Sequence, residues 1–339
     1  MQCQWNDKVL NVTEQGFEQL AIEIYNFQYQ YNPVYRQFVD ALHGTNFHVR
    51  STREIPFLPI RFFKSHEIKT TSFAAAAIFE SSGTTGMVNS RHFIKDTGFY
   101  EAVFTNGFER FYGPVSDWCI IGLLPSYLER QNSSLVYMVS QLIQQGGHSM
   151  SGFYLNEFDV LFDALKKLRH AGQKTLLIGV TFALLDFAEA YGPQFQKGLF
   201  DNTVVMETGG MKGRRRELVR QELHEILKNA FNAAHIHSEY GMTELMSQAY
   251  SKGDGVFFVP PWMKVLVRDE EDPLEVRPAV SGIKLPLGGA LNIIDLANVY
   301  SCSFIATDDI GKLHPNNNFE VLGRMDNSDL RGCSLLVLS

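Results

Sequence analysis

Residues 79–86 have the sequence Phe79-Glu80-Ser81-Ser82-Gly83-Thr84-Thr85-Gly86 and follow an apolar stretch, 74–79, that is typical of a β-strand. Glycine permits positive φ angles and lets a ligand approach the backbone closely. Backbone N–H groups and serine or threonine hydroxyls can then donate hydrogen bonds to phosphate oxygens. The sequence therefore predicts a loop that wraps a polyphosphate, formed by Ser81, Ser82, Gly83, Thr84, Thr85 and Gly86.

This loop differs from the Walker A motif, which ends in Gly-Lys-Ser/Thr. Met87 and Val88 follow Gly86, so the lysine of that motif is missing, and Arg91 and Lys95 lie downstream. We expect Lys95 to contribute positive charge to the phosphate site. The alternative is a flexible Ser/Gly linker, which the preceding apolar strand and the mixed segment 91–96 disfavour.

The composition limits the function classes. The chain has 339 residues, of which 45% are hydrophobic and 20% are charged, as in globular proteins with a large core. This length allows one large domain or two medium domains. The net charge of −7 argues against a nucleic-acid partner, which would favour a basic surface. The short basic cluster at 212–216 favours a solvated helix start, with a phosphate contact as the alternative.

The cysteines and the apolar segments indicate the cellular compartment in which the protein is expected. The 4 cysteines are widely spaced without a Cys-x-x-Cys pair, which argues against a zinc site and against a disulfide framework. The start of the sequence lacks a basic region followed by an apolar stretch. Residues 131–156 carry no charged side chain but are rich in polar residues and glycine, so they do not predict a membrane span. We expect a cytoplasmic protein.

The periodicity of apolar residues indicates the organisation. Residues 1–65 are predicted to be helical and aromatic-rich, and the two prolines at 55–60 predict an extended connector. Strands predicted at 118–125, 175–180, 202–207 and 233–237 alternate with helices predicted at 133–145, 158–168, 182–191 and 217–231. This alternation predicts an α/β sheet with ligands at the carboxyl ends of its strands. Strands predicted at 256–259, 263–268 and 291–295 favour a small β-rich subdomain.

A second polar cluster, at 238–244, is predicted to follow a strand and open a helix. Tyr240 offers an aromatic face to a purine, Gly241 allows a tight turn, and Thr243 offers a hydroxyl to phosphate. Glu244 offers the hard oxygen ligand that Mg²⁺ prefers. Taken alone, this cluster would equally fit a helix cap, with Thr243 and Glu244 in the first turn. One of the two histidines just before it, His235 and His237, is a further candidate to face the substrate.

A third cluster combines residues 306–311 with residues 323–326. Its carboxylates would suit ribose hydroxyls, and Arg324 would approach the ribose or a phosphate. Taken alone, this cluster favours the alternative, which is a pair of acidic turns.

The three clusters, in this order, resemble the motifs of the adenylate-forming superfamily, which includes acyl-CoA synthetases, firefly luciferase and peptide-synthetase adenylation domains. Its Ser/Thr-Gly phosphate loop is similar to residues 81–86, and its Tyr-Gly-x-Thr-Glu motif is matched in full by residues 240–244. Its Thr-Gly-Asp motif resembles residues 307–309, in which Asp308 replaces the glycine. Its Gly-Arg-x-Asp hinge is matched by residues 323–326.

The resemblance implies an α/β fold like the large N-terminal domain of that superfamily, with βα-alternating sheet subdomains and a small β-rich subdomain. The adenylation domain would span residues 1–322, with a helical lead-in at 1–65 and the β-rich subdomain at 254–322. ATP and Mg²⁺ are the implied cofactors, with Glu244 as the metal ligand and Thr243 and Glu244 as catalytic residues. The implied nucleotide-binding residues are Ser81, Ser82, Gly83, Thr84, Thr85, Gly86, Lys95, Tyr240, Gly241, Met242, Thr243, Asp309 and Arg324, of which Asp309 and Arg324 hold the ribose.

The end of the sequence narrows the resemblance. Typical members continue after the hinge into a lid domain with a catalytic lysine, and we expect most of this lid to be absent here. The segments 125–130, 207–214 and 326–335 are similar to the acyl-protein synthetases of bacterial bioluminescence, the LuxE type. Those enzymes activate a fatty acid with ATP and carry the acyl group on a cysteine near the C-terminus for delivery to a reductase. Cys333, in the short tail 323–339, occupies the matching position.

The residues around Cys333 agree with this role. Six residues follow it in the sequence, and Arg331 would favour its thiolate. Attack of a thiolate on an acyl adenylate gives a thioester, which divides a difficult acyl transfer into two steps. The alternative is a small apolar residue beside Leu335 and Leu336. Cys3, Cys119 and Cys302 are predicted to be structural.

We therefore predict an ATP- and Mg²⁺-dependent acid–thiol ligase that acts on a fatty or other carboxylic acid, with an acyl reductase or acyl-carrier protein as partner. One alternative is an acyl- or aryl-CoA ligase of the phenylacetate type, whose activity Cys333→Ser would spare. Another is a non-catalytic nucleotide- or acyl-binding relic. A third possibility is that a partner subunit supplies the closing surface of the missing lid.

Overall fold

A computed structural model describes residues 3–81, 88–124, 132–155, 157–209, 218–270, 272, 274–277 and 286–325. The helices are α1 Cys3–Leu10, α2 Glu14–Tyr31, α3 Pro33–His43, α4 Phe62–Ser65, α5 Thr97–Tyr112, α6 Ser134–Gly146, α7 Phe158–His170, α8 Thr181–Tyr191 and α9 Arg220–Phe231. The strands are β1 Leu58–Pro59, β2 Ala77–Glu80, β3 Arg91–Ile94, β4 Cys119–Leu123, β5 Gly152–Phe153, β6 Thr175–Val180, β7 Thr203–Thr208, β8 His237–Tyr240, β9 Ala249–Ser251, β10 Val256–Phe257, β11 Met263–Arg268, β12 Val276–Arg277, β13 Leu287–Asp295, β14 Phe304–Leu313 and β15 Phe319–Arg324.

The helical lead-in predicted from the sequence is confirmed. The Thr13 hydroxyl accepts a hydrogen bond from the Gly16 N–H at the start of α2, and the Asn32 side chain accepts one from the Tyr35 N–H at the start of α3. Both are N-cap bonds that satisfy backbone donors without a partner in the helix. The buried Gln28 side chain of α2 donates to the carbonyls of Asn298 and Val299, which ties this lead-in to the turn between β13 and β14.

A six-stranded sheet has the order β5-β4-β6-β7-β8-β9, parallel except for the antiparallel pair β8–β9. Every residue of β4 and of β6 is buried, as in parallel sheets covered on both faces. Ser133 caps the start of α6, and Gly147 ends this helix with the left-handed φ of 65° that glycine adopts without steric cost. The predicted βα alternation is therefore confirmed, and it places the carboxyl ends of β6, β7 and β8 side by side.

A second, seven-stranded sheet has the order β10-β15-β14-β13-β11-β12, and β1 adds to it in parallel beside β14. The extended connector predicted at 55–60 therefore forms an edge of this sheet, because Leu58 pairs with Ile305. The strand predicted at 263–268 is confirmed as β11, and the one predicted at 256–259 is confirmed only over Val256–Phe257. The strand predicted at 291–295 is the last part of β13, which extends back to Leu287.

Two sequence predictions around the second cluster are wrong. The strand predicted at 233–237 begins only at His237, because α9 ends at Phe231 with Asn232 as a left-handed cap and pairing with β7 starts at Met206–His237. No helix begins directly after Tyr240, where the described residues 241–248 lead into β9. The backbone N–H groups of Met246 and Ser247 instead donate to the buried Asp295 carboxylate, and the chain continues directly into β9.

The third cluster does not form the pair of acidic turns that was its alternative interpretation. Residues 306–311 are not an acidic turn but lie within β14, and Gly323 and Arg324 end β15. The chain pairs with β13 on both sides of Thr307–Asp309 and with β15 from Asp309 onward, so this segment continues as a strand although the β13–β14 ladder skips it.

The described cysteine thiols are structural, as predicted. Cys119 and Cys302 are fully buried, and this burial raises the pKa of Cys119 to about 11 and the pKa of Cys302 to about 12. Both are therefore neutral thiols that act as small apolar side chains. Over the part of the chain that the structure describes, no helix combines the length and the apolar character needed to cross a lipid bilayer.

Candidate active site

The predicted phosphate loop joins β2 and β3, which form an antiparallel hairpin. Its base is closed by Ser81 and Ser90: the Ser81 N–H donates to the Ser90 carbonyl at 3.0 Å, and the Ser90 N–H donates to the Ser81 hydroxyl at 2.9 Å. Residues 82–87, which include the predicted ligands Ser82, Gly83, Thr84, Thr85 and Gly86, lie outside the described residues. The structure therefore fixes where this loop starts and ends, and the loop itself remains a prediction.

Tyr240, Asp309 and Arg324 meet although they come from different sheets. The buried Tyr240 hydroxyl donates to Asp309 Oδ2 at 2.7 Å, and the Arg324 Nε donates to Asp309 Oδ1 at 3.1 Å. Asp309 lies directly opposite Arg324 in the β14–β15 pair. Burial, followed by the nearby Asp309 charge, raises the pKa of Tyr240 well above its usual value, so Tyr240 is a neutral donor. The two motifs predicted for adenine and for ribose are therefore joined by a hydrogen bond.

Glu244 lies within the same cluster and is also buried. Burial raises the pKa of its carboxyl, whereas a hydrogen bond from the Ser90 side chain and the positive charge of Arg324 lower it. The carboxyl of the predicted metal ligand is thus held beside the base of the phosphate loop. Ser90 therefore connects Glu244 to Ser81, through one hydrogen bond to Glu244 and two with Ser81.

His92 fixes the backbone of the Thr243–Glu244 segment. Its Nδ1–H donates to the Thr243 carbonyl at 2.7 Å, and its Nε2 lies 2.9 Å from Oδ1 of Asn298. Asn298 in turn donates from Nδ2 to the Glu244 carbonyl at 2.7 Å. Burial is the largest influence on the pKa of His92 and lowers it to about 4, whereas the contacts with the Thr243 carbonyl and with Asn298 act to raise it. His92 therefore holds the Thr243 carbonyl directly, and Asn298, which contacts His92, holds the Glu244 carbonyl.

Sequence reasoning missed Ser90, His92, Asn298 and Asp295. Asp295 is fully buried and accepts hydrogen bonds from the N–H groups of Met246 and Ser247 and from the Ser247 hydroxyl. Ser90 and His92 carried one usable signal, which is their position immediately after the loop. Asn298 and Asp295 carried no such signal, because they are about 50 residues away in sequence from the residues that they contact.

Lys95 is not brought to the phosphate loop. Ile94, at the far end of β3, pairs with Ala77, whereas the loop leaves the hairpin at the Glu80–Arg91 pair. The Lys95 ammonium lies 3.7 Å from the centre of the Tyr300 ring, and burial lowers its pKa. Arg91, which pairs with Glu80, is the cation that the hairpin places next to the loop.

The two histidines singled out before the second cluster are also remote from it. His237 begins β8 and Tyr240 ends it, so about three residues at roughly 3.3 Å each separate them. The His237 Nδ1 shares a hydrogen bond of 3.1 Å with the Tyr112 hydroxyl, and its pKa is lowered to about 4, chiefly by burial. His235 is exposed. A packing role explains His237.

The residues present fit a single Mg²⁺ shared with a nucleotide. No cluster of three or more His, Cys, Asp or Glu that would hold a metal alone occurs among the described residues. Glu244 supplies one carboxylate, and Mg²⁺ commonly takes one or two carboxylates together with substrate phosphates. Arg324 acts electrostatically on both Glu244 and Asp309, and Arg268 also acts on Asp309. A bound polyphosphate would add negative charge here, which Mg²⁺ would offset.

The remaining predicted residues fall into two groups. Gly241 and Met242 lie between the strand that ends in Tyr240 and the segment held by His92, with Gly241 exposed at the strand end. A Cβ added at Gly241 would lie 2.4 Å from Oε1 of Glu239, so this position accommodates only glycine without movement of that buried carboxyl. Cys333 and the basic cluster 212–216 lie outside the described residues.

Solved structures share the fold. The structure is similar to ATP-bound MatB from Rhodopseudomonas palustris, with a TM-score of 0.54 and 18% identity over 74% of this chain and 48% of that one. It is also similar to McyG A-PCP complexed with phenylalanyl-adenylate, with a TM-score of 0.51 and 13% identity over 86% and 54% of the two chains. The amide bond synthetase McbA from Marinactinospora thermotolerans gives a TM-score of 0.50 and 15% identity over 74% and 49%. The chain spans about half the length of each of these proteins.

These similarities confirm the predicted fold class, an α/β architecture of the adenylate-forming type. No curated protein matches the sequence. The model of one protein family, described as acyl-protein synthetase, LuxE, matches residues 11–339, which is nearly the whole sequence. The chain therefore belongs to the LuxE family of acyl-protein synthetases.

Proposed function

We propose that this chain is an ATP-dependent ligase that converts a carboxylic acid into an acyl adenylate and then transfers the acyl group to the thiol of Cys333. The observation that carries the first step is the convergence of three separate motifs. Tyr240, Asp309 and Arg324 form one hydrogen-bonded group, and Glu244 joins it to the base of the phosphate loop through Ser90. Membership of the LuxE family supports the second step.

In the proposed first step, a carboxylate oxygen of the acid attacks the α-phosphorus of ATP. The bond between this phosphorus and the bridging oxygen to the β-phosphate breaks, and pyrophosphate leaves. Such phosphoryl chemistry depends mainly on positioning and on neutralisation of charge. Residues 81–86 would wrap the β- and γ-phosphates, Thr243 would donate to the α-phosphate, and Tyr240 would pack against the adenine.

Asp309 and Arg324 would hold the ribose. Because Asp309 already accepts from Tyr240 and Arg324, its carboxylate is oriented before a nucleotide arrives. Glu244 would hold Mg²⁺, which when bound neutralises the charge that develops on the leaving pyrophosphate. Burial of Glu244 strengthens its interaction with such a cation, because the local dielectric constant is low.

In the proposed second step, the Cys333 thiolate attacks the acyl carbon, AMP leaves, and the thiol proton passes to solvent. We propose a long-chain fatty acid as substrate, as the LuxE family suggests, and an acyl reductase or acyl-carrier protein as the final acceptor. We also propose that the chain acts in the cytoplasm, where unpaired cysteines such as the buried Cys119 and Cys302 are expected to stay reduced.

The first step is tested by exchange of labelled pyrophosphate into ATP in the presence of Mg²⁺ and a panel of fatty and aryl acids. The proposal predicts exchange that requires both the acid and Mg²⁺, and that is lost in Asp309→Ala. Exchange with aryl acids only would exclude a long-chain fatty acid as the substrate. Absence of exchange with every acid, in protein shown to be folded, would contradict an adenylating function.

A further inference from the structure

The strand that carries Asp309 contains a large bulge. In the β13–β14 pair, Ala290 lies opposite Ile310, whereas Asn292 lies opposite Ala306. Leu291 therefore faces a segment of three residues, Thr307 to Asp309, where a regular ladder has one. Extra residues in a bulge interrupt the ladder of backbone hydrogen bonds, so nearby carbonyls need other donors.

The guanidinium of Arg268 supplies these donors. Its Nη1 donates to the Leu291 carbonyl at 2.8 Å and to Asn292 Oδ1 at 2.7 Å, and its Nη2 donates to the Thr307 carbonyl at 2.6 Å. Arg268 is only 4% exposed. Three neutral oxygens, on both sides of the bulge, thus accept hydrogen bonds from one buried cation.

A buried cation is costly unless its hydrogen bonds are satisfied, so its presence here calls for a specific role. The fixed fork of a guanidinium can reach two carbonyls on different strands at once, which the single ammonium of lysine cannot do with the same geometry. Arg268 therefore bridges β13 and β14 at the one place where their own ladder is broken.

The bulge leads directly to Asp309. The Asp309 N–H donates to the Thr307 hydroxyl at 3.2 Å, and this hydroxyl donates to the Leu291 carbonyl at 2.8 Å. Asp309 then pairs with Arg324 across β15 and accepts from Tyr240. The Leu291 carbonyl that Arg268 holds is thus linked to the Asp309 N–H through two hydrogen bonds. The Thr307 carbonyl that Arg268 also holds belongs to the residue whose hydroxyl forms this link.

We infer that Arg268 is a positioning residue for nucleotide recognition, which holds the β14 bulge in the shape that presents Asp309 to the ribose hydroxyls. This inference rests on the proposed function, since it gives Asp309 a ribose as its ligand. Arg268 itself does not touch the nucleotide. Its effect is specific to the sugar, so it should appear as a loss of discrimination between ATP and deoxy analogues.

The test is isothermal titration calorimetry of the full chain with Mg-ATP, 2′-deoxy-ATP and 3′-deoxy-ATP. A hydrogen bond to a charged group predicts that wild type binds ATP about tenfold or more tightly than the analogue that lacks the contacted hydroxyl. In Arg268→Lys this ratio should fall to about threefold or less. Thr307→Val, which removes the hydroxyl between Leu291 and Asp309, should also lower this ratio. It provides the test if Arg268→Lys does not fold.

Phe231→Leu is the matched control. Phe231 is buried in an aromatic cluster with Phe187, Phe195 and Phe200, away from the bulge, and its truncation lowers stability without reaching Asp309. A purely structural role for Arg268 predicts that Arg268→Lys and Phe231→Leu both keep the wild-type ratio. That result, with a reduced ratio in Asp309→Asn, would overturn the inference and leave the proposed function standing.

Two other outcomes separate the inference from the function on which it rests. If Asp309→Asn keeps the wild-type ratio, Asp309 does not hold the ribose, and the role of Arg268 falls with it. If folded wild-type protein binds none of the three nucleotides, the proposed function itself is wrong. A reduced ratio in Arg268→Lys, Thr307→Val and Asp309→Asn, but not in Phe231→Leu, supports both.

Discussion

The hydroxyl of Tyr240 donates a hydrogen bond of 2.7 Å to the carboxylate of Asp309. Tyr240 ends a strand of the six-stranded sheet, and Asp309 lies in a strand of the seven-stranded sheet, so this bond connects the two sheets at the candidate site. Both residues are buried. The parts of the site proposed for adenine and for ribose therefore depend on each other.

Replacement of Tyr240 by phenylalanine tests this dependence. Tyr240→Phe keeps the aromatic ring but removes the donor to a charged carboxylate, which should lower the free energy of unfolding by about 1.5–3 kcal/mol. It should also raise the KM for ATP, with little change in the KM for the acid. The measurements are urea denaturation and initial rates of pyrophosphate exchange.

Tyr250→Phe is the matched control for this substitution. The Tyr250 hydroxyl is buried, and no hydrogen-bond partner for it occurs in the described part of the chain. Its removal should therefore leave stability unchanged or increase it. Equal losses of stability in Tyr240→Phe and Tyr250→Phe would contradict the role given to the Tyr240–Asp309 bond.

Glu244→Gln should separate stability from activity. Burial opposes the charged form of Glu244, so the amide should leave the free energy of unfolding near pH 8 unchanged or higher. Loss of a carboxylate that holds Mg²⁺ should reduce pyrophosphate exchange by about a hundredfold or more. Glu239→Gln, a buried glutamate five residues earlier in the sequence, should retain the wild-type dependence of the rate on Mg²⁺ concentration. Exchange by Glu244→Gln at the wild-type rate would remove this residue from the proposed metal site.

The pH dependence of stability should carry a signature of Glu239. Burial raises the pKa of its carboxyl from 4.5 to about 7, partly offset by a hydrogen bond from Thr208. Between these values the folded protein keeps a proton that the unfolded chain has lost. The contribution of Glu239 to stability therefore falls as the pH rises from 4.5 to about 7, by roughly 3 kcal/mol in total, and is constant above that.

His92 and His237 act in the opposite direction, because burial keeps their folded-state pKa at about 4 and stability rises as the pH approaches 6.5. The difference between wild type and Glu239→Gln removes these shared contributions. Urea denaturation at pH 5, 6, 7 and 8 should show Glu239→Gln becoming more stable relative to wild type as the pH rises. Glu225→Gln, an exposed control, should show a far smaller trend, and a flat difference for Glu239→Gln would rule out the raised pKa.

His92 and Asn298 should behave as one unit. Both are buried, their side chains lie 2.9 Å apart, and together they hold the carbonyls of Thr243 and Glu244. His92→Phe and Asn298→Ala should each lower the free energy of unfolding by about 1–3 kcal/mol, because each leaves a buried carbonyl without its donor. The double variant should lose less than the sum, by about 0.5 kcal/mol or more. Strict additivity in denaturation experiments would show that the two residues act independently.

The sequence predicted the motif residues better than the contacts between them. Tyr240, Glu244, Asp309 and Arg324 could be named because each belongs to a short local pattern, and the structure brings them together. Ser90 and His92 could be noticed from their position after the loop, but their roles could not be assigned, because their partners lie about 150 residues away in sequence. These contacts depend on the packing of the β2–β3 hairpin against the segment after β8. Lys95 follows the end of β3 that lies away from the start of the loop, which its proximity in sequence did not indicate.

The strands were predicted well where they are fully buried and apolar, as in β4 and β6. The positions of strands were predicted less well where the strand contains polar residues, as at His237–Tyr240 and Thr307–Asp309. The strand conformation of these residues depends on neighbouring strands that are distant in sequence. Arg268 illustrates the same limit. It ends an apolar strand and resembles a surface cation in the sequence, and only the broken register of β13 and β14 explains why it is buried.

We propose that acid activation ends in an acyl thioester on Cys333. The direct test is the intact mass of the protein after incubation with Mg-ATP and a long-chain fatty acid, for wild type and for Cys333→Ser. We predict an acyl adduct that hydroxylamine removes, present in wild type and absent in Cys333→Ser, while pyrophosphate exchange is retained by both. Absence of an adduct in wild type, with AMP formation that requires coenzyme A, would contradict the account in favour of an acyl-CoA ligase.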